Sequence, residues 1–141
     1  MSGPVADGHA APPPEFRRRV TATPEPLIEL RRGLAGWVSG LGLDLELQED
    51  VVMASYEAMA NSAEHAYRGR PESVLDLVAT ARDGEITVVV TDYGTWKPPE
   101  DTHGLRGRGL LLIRSLADTS EYTQRPDGTT VTMHWNTARD R

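Results

Sequence analysis

Two Asp-Gly pairs, each placed between β-rich runs, constrain the fold of this chain more than any other feature. The first pair, Asp83-Gly84, separates residues 73–81 from residues 85–91. The second lies within Pro126-Asp127-Gly128 and separates residues 121–124 from residues 129–135. Because Asp-Gly favours the tight turns that join antiparallel strands, the sequence predicts two hairpins, the first of them in the middle of a sheet.

Two segments before the first hairpin have helical periodicity. Residues 24–40 carry apolar side chains at helical spacing that are predicted to be core, and Arg31 and Arg32 fall on the opposite, exposed face. Asp44 is the predicted N-cap of a second helix, which ends near Gly69-Arg70-Pro71. Residues 16–22 are predicted to form an edge strand. The apolar positions of the first helix are Leu27, Leu30, Leu34 and Val38.

These elements predict an α+β fold, a two-layer sandwich with helices packed on one face of a mixed, mainly antiparallel sheet. The length of 141 residues fits one domain, which we place at residues 16–137. Residues 1–15 are rich in Pro, Ala and Gly and are predicted to be a disordered tail, because they offer little apolar surface to offset the entropy of ordering. Residues 138–141 are predicted to be a short C-terminal tail.

Composition argues against several classes of function. Fifteen basic residues against 21 acidic ones give a net charge of −6, and the basic residues form no long stripe, so direct binding to nucleic acid is not expected. The chain has no cysteine, which excludes disulfides and thiolate metal sites. No apolar run reaches membrane-spanning length and the N-terminus has no hydrophobic signal core. A cytoplasmic protein without membrane attachment is therefore expected.

Three polar residues of the second helix point to a chemical function. Glu57, Asn61 and His65 stand at positions i, i+4 and i+8, so they share one helix face, predicted to turn largely away from the apolar stripe. A carboxylate, a carboxamide and an imidazole in one row can serve as proton acceptor, magnesium ligand and phosphate contact. The alternative is a solvated helix face with no chemical role.

Two later segments favour a nucleotide site. The β-branched run of residues 86–91 leads into Asp92-Tyr93-Gly94-Thr95-Trp96, and Gly107-Arg108-Gly109 precedes the apolar residues 110–113. A glycine-rich helix start would present free backbone N–H groups and a positive dipole end to phosphates. A P-loop or Rossmann site is disfavoured, since the glycines lack the Walker lysine and do not directly follow the strand.

The succession of these motifs resembles the three nucleotide-binding motifs of the Bergerat-fold (GHKL) superfamily of ATPases and kinases. The forms Asn-x-x-x-His-Ala-Tyr, Asp-x-Gly-x-Trp and Gly-x-Gly-Leu-x-Leu-Ile are similar to those of the anti-sigma factor serine/threonine kinases, in their actinobacterial type. The resemblance covers residues 16–135. The strand motif departs from many relatives in lacking a second glycine, which bears on nucleotide affinity more than on fold.

The resemblance implies a role for each motif residue. Glu57 would be the general base, Asn61 would bind Mg²⁺, and His65 could contact a phosphate. Asp92 would accept a hydrogen bond from the exocyclic amine of adenine, and Gly94 would let the backbone pass close to the base. The remaining implied contacts are Thr129 or Thr130 near the adenine, a short lid at residues 97–105, and a phosphate segment made of Arg106, Gly107, Arg108, Gly109 and Leu110.

The resemblance also implies a function. The chain would bind Mg²⁺ and ATP, sequester an alternative sigma factor, and phosphorylate a STAS-fold anti-anti-sigma factor, working as a homodimer. Arg31 and Arg32 are candidates for partner contact, with two solvated arginines as the alternative. A second reading is a catalytically silent, ATP-binding partner-switching module. A histidine kinase catalytic domain is disfavoured, because the chain shows no helical hairpin bearing a histidine to phosphorylate.

Overall fold

Five strands lie in one sheet with three helices against one of its faces, in the computed structural model, which describes residues 14–65, 73–94 and 103–138. The elements in chain order are β1 (Glu15–Thr21), α1 (Pro24–Ser39), α2 (Leu45–His65), β2 (Val74–Arg82), β3 (Glu85–Asp92), α3 (His103–Leu116), β4 (Thr119–Arg125) and β5 (Gly128–Asn136). The strand order is β1-β2-β3-β5-β4. The predicted two-layer α+β class is confirmed, and β1 is an edge strand as expected.

Every strand pairing in the described residues is antiparallel, so the expectation of a mixed sheet was wrong. The reason lies in the last hairpin. β4 and β5 fold back on each other, and β5 then inserts beside β3 in the opposite direction. The connection through α3 therefore delivers β4 to the sheet edge and produces no parallel neighbour.

Both predicted hairpins form. β2 and β3 meet at Asp83 and Gly84, whose φ angles of 54° and 76° are those of a type I′ turn, the turn that matches the twist of the flanking strands. Asp and Gly tolerate these positive values better than other residues. β4 and β5 meet at Pro126 and Asp127, with Gly128 as the first residue of β5.

The helix boundaries follow local chemistry. α1 starts at Pro24 and Gly40 caps its C-terminus, consistent with the preference for proline in the first turn. Asp44 caps α2, because its Oδ1 accepts a hydrogen bond from the Leu47 N–H at 2.7 Å. The predicted cap is confirmed. Within the described residues, no helix is long and apolar enough to cross a membrane.

The core lies between the helices and the sheet. Alternate residues of β2, β3 and β5 are buried on the helix-covered face, as strand geometry requires. The predicted core positions of α1 are all buried, and Arg31 and Arg32 are exposed. The predicted N-terminal tail lies almost wholly outside the described residues. The most completely buried side chains include Leu34, Met59, Leu75, Leu77, Ile86, Met133 and Trp135.

Candidate functional site

Asp92 and the first residues of β5 meet at one end of the sheet. β3 ends at Asp92, β5 begins at Gly128, and Asp92 is the cross-strand partner of Thr129. On its other side Asp92 pairs with Leu75, near the start of β2. In chain order α2 precedes β2 and α3 follows β3, and the two helices pack together.

Asp92 is a buried carboxylate held by backbone donors. Its side chain lies on the helix-covered face and is 0% exposed. Oδ1 accepts the N–H of Gly94 at 3.3 Å and the N–H of Thr129 at 3.1 Å. Burying a carboxylate is costly unless hydrogen bonds compensate, and a carboxylate can accept more than two. The residue is therefore placed to accept a hydrogen bond from a ligand's N–H group.

The first residues of β5 form the other side of this site. A Cβ atom at Gly128 would lie 2.1 Å from the carbonyl oxygen of Asp92, so only glycine permits this approach of β5 to β3. Thr129 is 1% exposed, and its Oγ1 has no hydrogen-bond partner among the described residues. Thr130 instead accepts a hydrogen bond from Arg125 Nη1 at 2.6 Å. Of the two predicted threonines, it is Thr129 that lies beside Asp92.

The polar row of α2 is more buried than predicted. Glu57 is half-buried, Asn61 is 7% exposed, and the neighbouring Ser62 is 3% exposed. The expectation that this row turns away from the apolar stripe was wrong for Asn61, because α2 packs against α1, α3, β3 and β5 and so buries a wider face than its apolar pattern indicates.

The glycine-rich segment lies inside α3 rather than at its start. α3 begins at His103, so Gly107, Arg108 and Gly109 belong to its second turn, and the free N–H groups of a helix are those of its first four residues. The prediction that these glycines open the helix was wrong, because a glycine inside a helix costs only about 1 kcal/mol and need not mark a boundary. Arg106 is in the first turn, and Leu110 packs against the core.

Several predicted contacts fall outside the described residues. They are the side chains of His65 and of residues 103–109, together with the lid residues 97–102. The last three residues of the predicted lid belong to α3. Across residues 14–65, 73–94 and 103–138, no cluster of three or more His, Asp or Glu side chains could hold a metal ion. A magnesium ion here would take most of its ligands from phosphate oxygens and water, with Asn61 as the carboxamide ligand.

A polar cluster on the face of the sheet opposite the helices was not predicted. Arg19 donates two hydrogen bonds to Asp76, at 2.7 Å from Nε and 2.9 Å from Nη2, and the hydroxyl of Tyr93 donates to the same carboxylate. The Arg19 side chain lowers the pKa of Asp76, and the hydrogen bond to Asp76 raises the pKa of Tyr93 and that of Arg19. No sequence pattern indicates this cluster, because it depends on strand register.

The two arginines proposed for partner contact have different surroundings. The guanidinium of Arg31 lies 5.1 Å from the ring centroid of Tyr56, the residue before Glu57. Arg32 forms a 3.5 Å ion pair with Glu29 within the same helix. Both arginines are exposed on α1, and such surface ion pairs contribute little to stability. They are accessible to a partner, and Arg31 also connects α1 to α2.

Comparison with known proteins gives a consistent result. The family described as histidine kinase-like ATPase domain matches residues 20–135. The serine-protein kinase RsbW of Listeria monocytogenes serotype 4a is 30% identical over 115 residues, which cover 71% of this chain and 73% of the relative. RsbW of Staphylococcus aureus is 28% identical over 131 residues, 82% of each chain. The anti-sigma F factor of Clostridium botulinum is 28% identical over 97 residues, 69% of this chain and 58% of the relative.

A solved structure has the same fold. The crystal structure of the RsbU and RsbW domains of a Mycobacterium tuberculosis protein superposes with a TM-score of 0.72 and 24% sequence identity. The match covers 92% of this chain but only 34% of that longer chain. It supports the arrangement of helices on one face of an antiparallel sheet.

Proposed function

The chain belongs to the histidine kinase-like ATPase domain family, and we propose that it is an ATP-dependent serine/threonine protein kinase that also acts as an anti-sigma factor. The observation that carries this proposal is the buried Asp92 at the end of β3, enclosed by Gly128 and Thr129. Its relatives are named serine-protein kinase and anti-sigma F factor, and these names give the class of activity that we propose.

Asp92 would recognise the adenine base. Its carboxylate would accept the exocyclic amine of adenine, a donor that guanine does not have at that position. Thr129 supports this assignment, because its buried hydroxyl has no described hydrogen-bond partner and such a group is costly unless a ligand or water satisfies it. Gly94, also buried, would let the backbone pass close to the base.

The phosphates would lie between α2 and the start of α3. Asn61 would hold Mg²⁺ through its carboxamide oxygen, and the first turn of α3 would offer backbone N–H groups to the phosphates. Gly107 and Gly109, one turn further on, would allow close approach of the helix, and Arg106, Arg108 and His65 would add contacts to the phosphate oxygens. Bound ATP would supply the phosphoryl group that is transferred, leaving ADP, and Mg²⁺ would neutralise charge on the phosphates.

Glu57 would be the catalytic residue. It stands one helical turn before Asn61 and is half-buried, and we place its carboxylate at the reacting end of the triphosphate. There it would accept, or orient, the proton of the attacking serine or threonine hydroxyl. The two residues would have separate roles. Asn61 would position the metal and the phosphates, and Glu57 would activate the attacking hydroxyl group.

The partners we propose are an alternative sigma factor and a STAS-fold anti-anti-sigma factor, with the chain acting as a homodimer. Phosphorylation adds nearly two negative charges to the antagonist and would abolish its ability to release the sigma factor. Exposed Arg31 and Arg32 are the proposed partner contacts on α1. Arg31, through Tyr56, would link partner binding to the helix that carries Glu57.

Calorimetry of nucleotide binding in the presence of Mg²⁺ tests the site. We expect saturable ATP binding by the native chain, no comparable binding of GTP, and loss of ATP binding in Asn61→Ala and Asp92→Asn. Asp83→Asn is the matched control, because it makes the same chemical change as Asp92→Asn at an exposed turn whose φ of 54° suits asparagine. Absence of ATP binding by the folded native chain would refute the proposal.

Kinase activity needs a separate test. Incubation with STAS-fold proteins and labelled ATP should give phosphoprotein with the native chain and none with Glu57→Ala. A Glu57→Ala variant that retained ATP binding and full regulation of its partner would instead support the silent partner-switching module.

A further inference from the structure

The polar cluster of Arg19, Asp76 and Tyr93 lies on the face of the sheet opposite the helices, directly behind the proposed adenine contact. Asp92 and Tyr93 are consecutive, so their side chains leave opposite faces of the sheet. Asp92 is buried on the helix-covered face, whereas Tyr93 is 46% exposed on the other and donates its hydroxyl proton to Asp76. Contacts that hold the Tyr93 side chain therefore also restrain the backbone that orients the carboxylate of Asp92.

The cluster restrains residues that lie beyond the last residue pair between β3 and β2. The pairing of β3 with β2 ends at Asp92, and Tyr93 is the first residue beyond it. Within the turn, the Gly94 N–H returns to Asp92 Oδ1 at 3.3 Å, which makes Tyr93 the middle residue of an Asx turn. Its side chain joins that turn to β2 through Asp76.

Asp76 is itself rigidly held. It is the direct cross-strand partner of Arg19, and the two side chains form a bidentate pair at 2.7 and 2.9 Å, the geometry that fixes a carboxylate in both position and orientation. The Arg19 guanidinium also lies 5.7 Å from the centroid of the Tyr93 ring. The chain of contacts Arg19–Asp76–Tyr93 thus runs from the edge strand β1 across β2 to the end of β3.

We propose that Arg19, Asp76 and Tyr93 form a clamp that positions Asp92 and Gly94 for recognition of the adenine base. These are positioning residues, since they act from the opposite face through the backbone of the Asx turn. The recognition of adenine rests on the proposed function. The effect of the clamp on the positions of Asp92 and Gly94 does not depend on that function. It makes nucleotide selectivity depend on a cross-strand contact that never touches the nucleotide.

Two variants remove the clamp with little change of shape. Tyr93→Phe deletes only the hydroxyl, and Asp76→Asn removes the charge that Arg19 and Tyr93 share. Thr87→Val is the matched control: it deletes the 3.1 Å hydrogen bond between Thr87 Oγ1 and His134 Nδ1, which lies on the same face of the sheet but near the opposite end of β3.

The first measurement compares affinity for ATP with affinity for inosine triphosphate, whose base lacks the 6-amine. Tyr93→Phe and Asp76→Asn should each weaken ATP binding about threefold to tenfold, the effect of one ordinary hydrogen bond, and reduce the preference for ATP over inosine triphosphate. The double variant should lose less than the two single losses combined, because both residues belong to one network. Thr87→Val should leave both affinities unchanged.

The second measurement needs no nucleotide. Amide hydrogen exchange at Gly94 and Thr129, the two N–H groups bonded to Asp92, should be faster in Tyr93→Phe and unchanged in Thr87→Val. Unchanged exchange in Tyr93→Phe would overturn the clamp whether or not the chain binds ATP. Equal losses for the two nucleotides, or an equal loss in Thr87→Val, would also overturn it, because they would indicate general destabilisation. A native chain without ATP affinity but with the predicted exchange would refute the proposed function and leave the clamp standing.

Discussion

Replacing Gly128 by alanine should damage both the fold and the site. The added Cβ would stand 2.1 Å from the carbonyl oxygen of Asp92, far inside the 3.0 Å below which such contacts are essentially never found. The opposing atom is backbone of a central strand, which cannot rotate away as a side chain can. Relief requires β5 and β3 to separate by about 1 Å, and overpacking of this kind costs about 1–3 kcal/mol. The same movement would displace the Thr129 N–H from Asp92 Oδ1.

Urea denaturation of Gly128→Ala and Gly36→Ala checks this reasoning. At Gly36, exposed in α1, nothing lies within 4 Å of the added Cβ, so alanine should stabilise the protein by about 0.5–1 kcal/mol through helix propensity. The two substitutions are chemically identical and should have opposite signs. If Gly128→Ala unfolded within about 0.5 kcal/mol of the native protein, the range of an ordinary surface change, the steric argument would be refuted.

Two further outcomes follow from the described contacts. Asp44→Ala should lower the free energy of unfolding by about 0.5–2 kcal/mol, because it removes the cap of α2, whereas Asp44→Asn keeps an acceptor and should cost much less; equal losses would contradict the cap. The pKa of Asp76 is lowered in the folded state, so its stabilising effect should be complete above the unfolded value of about 3.9 and disappear as the pH falls through the folded value. The free energies of unfolding of the native protein and of Asp76→Asn, measured as a function of pH, should therefore converge at low pH. A difference that persisted at low pH would refute the stabilising role of the Asp76 carboxylate.

The features that the sequence predicted correctly are local. Asp83-Gly84 forms its turn because only a few residue types accept the required φ angles, and Asp44 caps α2 because a short acceptor at that position meets a free N–H group. The apolar spacing of Leu27, Leu30 and Leu34 correctly identified the buried face of α1. In each of these places the determining contacts lie within a few residues along the chain.

The errors arose where neighbours from elsewhere in the chain decide the outcome. The sequence predicted that Gly107 opens α3 and that Asn61 turns largely away from the apolar stripe of α2. Asn61 is buried because α2 packs on α1, α3 and two strands together. The choice between Thr129 and Thr130 likewise required the strand pairing, since adjacent residues face opposite sides of a sheet.

The sequence by itself determined the turns, the caps, the periodic core of α1 and the order of the motifs with Glu57, Asn61 and Asp92. Only the tertiary structure decided which groups meet: Asp92 opposite Thr129, Gly128 against the backbone of β3, and Arg19 opposite Asp76. The physical reason is that turn and cap preferences are set by nearby dihedral angles and hydrogen bonds. Strand register and helix burial are fixed by contacts between segments far apart in the chain.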